Sequence, residues 1–272
     1  MKQNPASKAV YYLLTTCLAL TFLAPLVWAV ISSVSPAPGT SQTDGFGLNN
    51  YIALFEYGLG LPTYLFNSLV ISGVAIVVTV LAAATGGYAF ARFRFRGKNT
   101  LFVLVLSVMM VPVAALLIPM LVWMQQIGMN DSLVGVGLVL TLFQLPFGVF
   151  MMRNSFASLP RELEEAAQID GCTPTRAFFK VMLPSVTPAL ITVGLFAYLA
   201  AWNDFMVSLY LLSMNNAPLP LALVNMRQQA MGVIDYGITT AGVVILTLPA
   251  LVLFLALQKY YVKGFTDGAV KG

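Results

Sequence analysis

The sequence predicts an all-α polytopic membrane protein with six transmembrane helices. Of its 272 residues, 59% are hydrophobic and only 9% are charged, whereas a soluble domain carries about 25% charged residues. Apolar runs of roughly 20 residues, enough to cross a hydrocarbon core of about 30 Å, recur along the chain. These runs do not alternate polar and apolar residues, as a β-barrel would. Backbone groups in lipid must find their partners within the segment, so the runs are predicted to be helices.

Six apolar segments define these helices in chain order. The first one follows two lysines, as a secretory signal would, but its apolar run extends from Ala9 to Ser32. That is longer than the roughly 7–15 residues of a signal's hydrophobic region, so we predict a membrane helix. Prolines inside the third and fourth segments, Pro112, Pro119 and Pro146, predict kinks. The six predicted spans are 9–32, 64–91, 101–123, 133–153, 186–212 and 238–261.

Basic residues fall on one side of this arrangement. Thirteen of the fourteen Lys and Arg residues lie before span one, after span six, or in the loops that join span two to three and span four to five. Only Arg227 lies on the other side. The positive-inside rule places the basic side, together with both chain termini, in the cytoplasm. The net charge of +4 therefore reflects topology, and we predict no nucleic-acid partner.

Residues that commonly carry chemistry are scarce. The sequence has no histidine, which is the commonest general base and metal ligand. Cys17 and Cys172 are far apart in the sequence, and in a reducing compartment we expect both thiols to be free. No GxxxxGK[ST] phosphate-binding loop is present. We therefore predict that this chain has no catalytic residue, no metal site and no bound cofactor.

A polar loop (residues 153–185) interrupts the apolar sequence between spans four and five. A proline followed by three glutamates is typical of a helix start, and Gly171 is typical of a helix end. The pair Thr173-Pro174 predicts a second helix, by the pattern of a capping residue and then a proline. Because proline cannot continue a helix, this second helix is predicted to end at Pro184.

The first helix of the polar loop supports two interpretations. Leu163, Ala166, Ala167 and Asp170 share one face, and the two alanines make that face thin enough for another backbone to approach closely. The loop is either an amphipathic segment that lies against the bundle or the headgroups, or a docking site for a cytosolic partner. These residues alone favour neither interpretation.

The polar loop resembles the EAA loop of binding-protein-dependent ABC importer permeases. In that family the motif is Glu-Ala-Ala, a glycine four residues later and, after a further gap, a hydrophobic residue followed by x-Leu-Pro. Two positions depart from the usual pattern, with Val181 in place of isoleucine and Cys172 in place of alanine. The residues that carry the likeness are Glu165, Ala166, Ala167, Asp170, Gly171, Leu183 and Pro184.

Three further segments resemble the carbohydrate branch of this family, whose members are similar to the smaller, MalG-like maltose-permease subunit. They are Asn67-Ser68, Trp202-Asn203-Asp204 and the terminal GAVKG. The likeness covers essentially the whole chain. It alone suggests a sugar as the solute, and it does not name the sugar.

The resemblance implies a type I ABC importer permease fold and a set of partners. Such a subunit pairs with a second permease, which the likeness suggests is a different chain, and with two cytosolic ATPase subunits that bind ATP and Mg²⁺. The EAA helix of relatives enters a groove on the ATPase, and an extracytoplasmic binding protein delivers the sugar. By this resemblance the chain is not an enzyme, and it lies in the cell membrane of a prokaryote.

The predicted organisation has three parts. Residues 1–63 contain the first helix and an extracytoplasmic loop, residues 64–261 form the permease core that includes the polar loop, and residues 262–272 are a cytoplasmic tail. The segments 33–62 and 213–237 are candidate contacts for the binding protein.

Asp204 is the one acidic residue inside a predicted span, where a charge is costly enough to suggest a function. With Asn203 it lines the translocation pathway, or it bonds across helices inside the bundle; both interpretations stay open. Two alternative functions also remain. One is an importer of the same class for glycerol phosphate or another non-sugar solute. The other is an ion-coupled secondary transporter, for which Asp204 is the available intramembrane charge.

The charge distribution generates a test of topology. In a chain with Cys17 and Cys172 replaced, we expect an impermeant thiol reagent added to intact cells to leave Arg94→Cys unlabelled, because residue 94 is predicted to face the cytoplasm. A cysteine in the predicted extracytoplasmic segment 213–237 should be labelled in the same cells. Labelling at position 94 without permeabilisation would contradict the predicted orientation.

Overall fold

The computed structural model describes residues 5–36, 41, 45–229 and 235–269. The end of the predicted tail (270–272) and parts of the two predicted extracytoplasmic loops (37–40, 42–44 and 230–234) lie outside the described residues. All the regular elements assigned within the described residues are helical. The α-helices are α1 (Pro5–Val34), α2 (Asn49–Glu56), α3 (Leu61–Arg92), α4 (Lys98–Ser107), α5 (Val113–Gln126), α6 (Leu133–Ser158), α7 (Glu162–Ile169), α8 (Pro174–Ala177), α9 (Leu183–Ser185), α10 (Thr187–Trp202), α11 (Met206–Leu211), α12 (Leu219–Gln229) and α13 (Tyr236–Ala269).

Four helices of the described chain are long and apolar enough to cross a membrane by themselves: Ser7–Val34, Leu61–Arg92, Leu133–Ser158 and Tyr236–Gln258. They match predicted spans one, two, four and six to within a few residues at most ends. The other two candidates are bent helix pairs, Lys98–Met110 with Val113–Gln126 (102°) and Pro174–Ser185 with Thr187–Trp202 (77°). The first pair covers predicted span three, whereas the second joins the end of the polar loop to the first part of predicted span five. The described chain therefore has four candidate spans, or up to six if each bent pair counts as one.

The break in predicted span three lies at Pro112. A short 3₁₀ turn, Val108–Met110, follows α4, after which Val111 and Pro112 both adopt extended backbone angles. A residue that precedes proline is disfavoured in the helical region, and proline has no N–H to donate. The helix therefore stops and α5 starts in a new direction, so the kink predicted at Pro112 is a break between two helices. Pro119 and Pro146 lie inside helices that continue past them.

The chain forms two compact units, and the larger one comprises Thr63–Leu221 with Ala250–Gly272. Its core includes the contact between α3 and α6, to which α10 adds Val193, and glycines let the α3 and α6 backbones approach closely. A Cβ atom added at Gly87 would lie 2.5 Å from the Cβ of Met152, and one at Gly137 would lie 2.9 Å from the carbonyl oxygen of Ile71. Gly148 meets Ala83 in the same way.

Side-chain hydrogen bonds hold the far end of α3, away from Arg92. Asn67 donates from Nδ2 to the carbonyl oxygen of Ala217, at 3.0 Å, and the Oγ of Ser68 accepts from the backbone N–H of Leu219, at 2.9 Å. Both side chains are buried. The sequence marked Asn67-Ser68 only by its resemblance to other permeases, and the structure shows that the pair anchors the segment 217–219.

Asp131 joins the linker between α5 and α6 to the linker between α11 and α12. Its carboxylate accepts from the backbone N–H and from the Oγ of Ser213, at 2.7 and 2.8 Å. Partial burial acts to raise the pKa of Asp131, but the hydrogen bonds from Ser213 outweigh it, and the pKa lies below its usual value. Two of the predicted extracytoplasmic loops therefore meet at one end of this unit.

The smaller unit comprises Met1–Pro62 with Ala222–Pro249. Within it α1 is almost wholly exposed along its apolar surface, as expected for a helix that faces lipid. Its end is fixed by polar contacts, because Asn50 donates from Nδ2 to the carbonyl oxygen of Ser33 and the Ser33 hydroxyl bonds to that of Tyr51. Gly237 leaves the space that the buried Asn50 amide occupies.

The glycine contact between α3 and α6 generates a stability prediction. We expect Gly87→Ala to destabilise the protein by about 1–3 kcal/mol, because the added methyl group overpacks against backbone atoms of α6. The matched control is Gly73→Ala on the same helix, where a Cβ meets nothing within 4 Å. Thermal unfolding of the purified proteins in detergent checks this, and equal stability of the two variants would contradict the packing argument.

Candidate coupling site

The polar loop is shorter than predicted because α6 continues to Ser158. Arg153, predicted to open the loop, lies within α6, and its guanidinium carbon lies 4.4 Å from the centre of the Phe102 ring. The first loop helix is α7, and it begins two residues after Pro160 rather than with that proline. The two predicted loop helices are thus both present, with bounds that differ by a few residues.

Gly171 ends α7 as predicted. Its φ of +84° lies in the left-handed region, which glycine adopts without steric cost. The N–H of Gly171 bonds to the carbonyl oxygen of Gln168, and the N–H of Cys172 bonds to that of Ala167, each at 3.0 Å. These two bonds form a Schellman motif, which satisfies carbonyl groups at the helix end. The glycine therefore sets the direction in which the chain leaves α7.

The second loop helix begins at the predicted cap. The Oγ1 of Thr173 accepts from the backbone N–H of Arg176, at 3.3 Å, and Pro174 occupies the first turn. The helix does not end at Pro184, as predicted, but continues to Ser185 through a π-helical turn, Phe178–Met182. A widened turn relieves the clash between a proline ring and the preceding turn, which accounts for the difference.

The predicted coupling residues divide between two faces of the loop. Ala167 is buried and Leu183 is half-buried. The others, Glu165, Ala166, Asp170, Gly171 and Pro184, are exposed. Two large apolar side chains accompany them, Ile169 at 86% exposure and Phe179 at 58%. The outward face of the loop thus combines a carboxylate, a thin alanine surface and two unburied apolar groups.

Glu164 is a site residue that the sequence analysis missed. It turns inward beside Ala167, accepts a hydrogen bond from the Tyr88 hydroxyl and forms an ion pair with Arg92. The doublet Glu164-Glu165 gives no local reason to separate the two carboxylates. The three-residue spacing from Glu164 to Ala167, which places both on one face of a helix, was the available indication.

Asp204 lies between two helices rather than inside one. The chain leaves α10 after Trp202, and the Asp204 carboxylate caps α11 by accepting from backbone N–H groups of its first turn. Its Oδ1 accepts from the N–H of Val207, at 3.2 Å, and its Oδ2 accepts from the N–H and the Oγ of Ser208, at 2.9 and 2.8 Å. Aspartate is a strong helix-capping residue, which explains the break that the prediction of a continuous span over 186–212 did not include.

Asn203 has a different environment from its neighbour. Its side chain is exposed and donates to the carbonyl oxygen of Leu199, one turn back on α10, at 2.8 Å. The structure therefore places Asn203 and Asp204 side by side at the break but gives them separate partners. Across the described residues, no group of three potential metal-ligating side chains comes together.

Comparison with known proteins identifies the family of this chain. The profile of the family described as "Binding-protein-dependent transport system inner membrane component" matches residues 75–267. The chain belongs to this family. It is 32% identical to the trehalose transport system permease protein SugB of Mycobacterium tuberculosis, over 98% of this chain and 99% of that protein.

A second permease protein is similarly related. The arabinooligosaccharides transport system permease protein AraQ of Bacillus subtilis is 33% identical, with 94% of this chain and 92% of that protein covered. The fold also resembles a chain in the crystal structure of a bacterial ABC transporter involved in the import of alginate, with a TM-score of 0.82 at 22% identity, over 96% of this chain and 99% of that one. The permease fold predicted from the polar loop is thus confirmed.

The cap at α11 generates a prediction that separates structure from transport. We expect Asp204→Ala to lower stability by about 0.5–2 kcal/mol, since it removes the acceptor for two backbone N–H groups. Asp204→Asn should cost less, because one amide oxygen still accepts. Thermal unfolding in detergent measures both. Equal stability of Asp204→Ala and the unchanged protein would contradict the capping role.

Proposed function

We propose that this chain is the permease subunit of a sugar-importing ABC transporter. With a second permease, a different chain, it forms the translocation pathway for a sugar that an extracytoplasmic binding protein delivers, and it couples that pathway to two cytosolic ATPase subunits. The observation that carries the proposal is the polar loop, where a short helix, a left-handed glycine and a second helix present an outward face on the fold of this family.

The outward face of the polar loop has the chemistry of a protein-docking surface. Exposed Ile169 and Phe179 would remove apolar area from water on docking, and the small Ala166 allows close approach. Glu165 supplies an exposed negative charge that steers a basic partner surface. A loop that merely lay against the bundle would bury these apolar groups, and one that lay on anionic headgroups would not place the Glu165 carboxylate beside them. The docking interpretation is therefore the better supported of the two.

A sugar is the best-supported class of solute. The two relatives described above are permeases of trehalose and arabino-oligosaccharide transport systems, and each is matched over nine-tenths or more of both chains. The exposed Asn203 amide offers hydrogen bonds of the kind that sugar hydroxyls accept and donate. Asp204 holds α11 in place beside it.

Six spans and cytoplasmic termini are part of the proposal. They require that each bent helix pair count as one span. Contacts in the larger unit support the charge-based topology, because the two predicted cytoplasmic loops touch where Arg92 donates to the carbonyl oxygen of Leu159, at 3.0 Å. The predicted extracytoplasmic loops touch at Asp131 and Ser213. The proposed location is the cell membrane of a prokaryote.

The chain itself binds no nucleotide in this proposal. ATP and Mg²⁺ belong to the partner ATPase subunits, which carry out hydrolysis, and this subunit is not an enzyme. The absence of a phosphate-binding GxxxxGK[ST] sequence from the chain supports that division of roles.

Reconstitution in proteoliposomes tests the proposed function. We expect the complex of both permeases and the ATPase to take up trehalose or an arabino-oligosaccharide only under two conditions. ATP must be in the vesicle lumen, which the ATPase subunits face, and the binding protein must be outside. Glycerol phosphate in the same assay tests the non-sugar alternative. Uptake by this chain alone, driven by an ion gradient, would contradict the proposal and favour a secondary transporter.

The Schellman turn generates a prediction about coupling. We expect Gly171→Val to impair ATPase co-purification and ATP-driven uptake, because a β-branched residue at φ +84° is strained by about 1–2 kcal/mol and redirects α7. A Cβ at this position meets nothing within 4 Å, so no collision contributes. The matched variant is Gly171→Asn, since asparagine tolerates this conformation, and it should retain most activity.

Normal membrane insertion of both Gly171 variants is the control. A Gly171→Val protein that retains its ATPase and transports at the normal rate would argue against the docking loop.

A further inference from the structure

An inward-facing carboxylate ties the polar loop to a membrane helix. One carboxylate oxygen of Glu164, on α7, accepts a hydrogen bond from the Tyr88 hydroxyl. The other carboxylate oxygen lies 3.4 Å from the Nε of Arg92. This Nε–H is not aligned for a hydrogen bond, so the contact with Arg92 is an ion pair. Tyr88 and Arg92 lie one turn apart on α3, and together they hold one carboxylate from two sides.

The ion pair is largely shielded from water. The side chains of Arg92 and Glu164 are only 7% and 17% exposed. Charges on an exposed surface contribute little, whereas removal of one partner from a buried pair leaves the other uncompensated. Arg92 also donates from its terminal nitrogen to the carbonyl oxygen of Leu159, at 3.0 Å, so the same guanidinium holds the chain between α6 and α7.

Aromatic packing reinforces this contact from the membrane side. The Tyr88 ring lies 5.4 Å from the Phe156 ring of α6 and 4.7 Å from the Phe178 ring of the π-helical turn, between ring centres. Both distances suit favourable aromatic pairs. Tyr88 thus contacts α6, the second loop helix and, through its hydroxyl, α7. Its position is fixed because the preceding residue, Gly87, packs against Met152.

We infer that Glu164 is a positioning residue that joins α7 to α3, so that a displacement of the polar loop by the ATPase is transmitted to α3. The inference rests on the proposed function. The two neighbouring glutamates then have different roles: the exposed Glu165 faces the partner, and the largely shielded Glu164 connects the loop to the membrane helices.

The structure shows where such a displacement goes. Helix α3 has 32 residues, which corresponds to about 48 Å at 1.5 Å per residue. Its far end carries Asn67 and Ser68, which bond to Ala217 and Leu219. A contiguous chain of buried contacts therefore runs from α7 through α3 to the segment 217–219. Such a chain can couple distant sites only if its members act together, which mutation can test.

The decisive measurement is the amount of solute imported per ATP hydrolysed, in reconstituted complexes matched for assembly. We expect Glu164→Gln to lower this ratio by about fivefold or more, the lower end of measured coupling effects, while the ATPase still co-purifies and hydrolyses ATP. Tyr88→Phe removes a single hydroxyl and keeps the ring, so it should lower the ratio in the same direction. A merely structural role would change the amount of complex and not this ratio.

The matched control is Glu162→Gln. Glu162 occupies the same first turn of α7, carries the same charge and is exposed, and its carboxylate makes no hydrogen bond or ion pair with any other described residue. The Glu162→Gln complex should keep the unchanged ratio. A loss as large as that of Glu164→Gln would show that the net charge of the loop is responsible and would overturn the inference.

A double-mutant cycle tests whether Tyr88 and Glu164 act as one unit. Glu164→Gln replaces the charged acceptor of this hydrogen bond with a weaker neutral one, and Tyr88→Phe removes its donor. The two effects should therefore overlap, and the double variant should lose less than the product of the single effects. If the losses of the two single variants multiply in the double variant, the two residues act independently and the inference is overturned. If Glu164→Gln fails to assemble, Tyr88→Phe decides, and a normal ratio in Tyr88→Phe would also overturn it.

The failure of this inference is distinct from that of the proposed function. If the unmodified complex shows no ATP-driven uptake, the importer proposal fails, and with it the basis of this inference. If the unmodified complex transports and Glu164→Gln keeps the normal ratio, only the role of Glu164 is wrong.

Discussion

The close contact between α3 and α6 is the constraint on which the rest of the larger unit depends. In lipid there is little hydrophobic gain from bringing two helices together, so close packing and interhelical hydrogen bonds must hold them. Gly87, Gly137 and Gly148 supply that packing along the length of the pair. The contact at Gly87 also determines where the next residue, Tyr88, points. The lipid-embedded core and the polar loop are thus fixed by the same helix contact.

Interruptions in the apolar helices occur where local side chains or backbone bonds satisfy the chain ends. Asp204 caps α11, Thr173 caps α8, and Ser132 accepts from Gly135 at the start of α6. Pro112 has no N–H to donate, and it lies in extended backbone between the end of one helix and the start of the next. The three helices α6, α8 and α11 therefore each begin with a side chain that accepts from their first-turn N–H groups. An acidic residue in an apolar segment here supports a turn as well as any role in the pathway.

The polar loop has two chemically different faces, and this division gives its proposed function a physical basis. Exposed Ile169 and Phe179 face away from the bundle, whereas Ala167, Phe178 and Met182 fill the space beneath the loop. A rigid docking element needs both: a surface for the partner and an anchorage that resists the force the partner applies. The Gly171 turn sets the angle between the two loop helices, and Glu164 supplies the anchorage.

Features that depend on local chemistry could be predicted from the sequence. Apolar runs predict membrane helices wherever they occur, and Thr173-Pro174 and Gly171 predict a helix start and a helix end, because caps and left-handed turns are set within a few residues. The polar loop also carried enough of a motif to predict the family. The role of the polar-loop residues in coupling, and that of Asn203 in the translocation pathway, are still predictions.

Which of the two neighbouring carboxylates turns inward depends on the tertiary structure. Glu164 and Glu165 are chemically identical neighbours, and they differ because Tyr88 and Arg92, more than 70 residues away in the chain, lie next to one of them. The partners of Asn67 and Ser68 are about 150 residues away. Such pairings depend on how the helices pack, and the order of residues within one segment does not specify them.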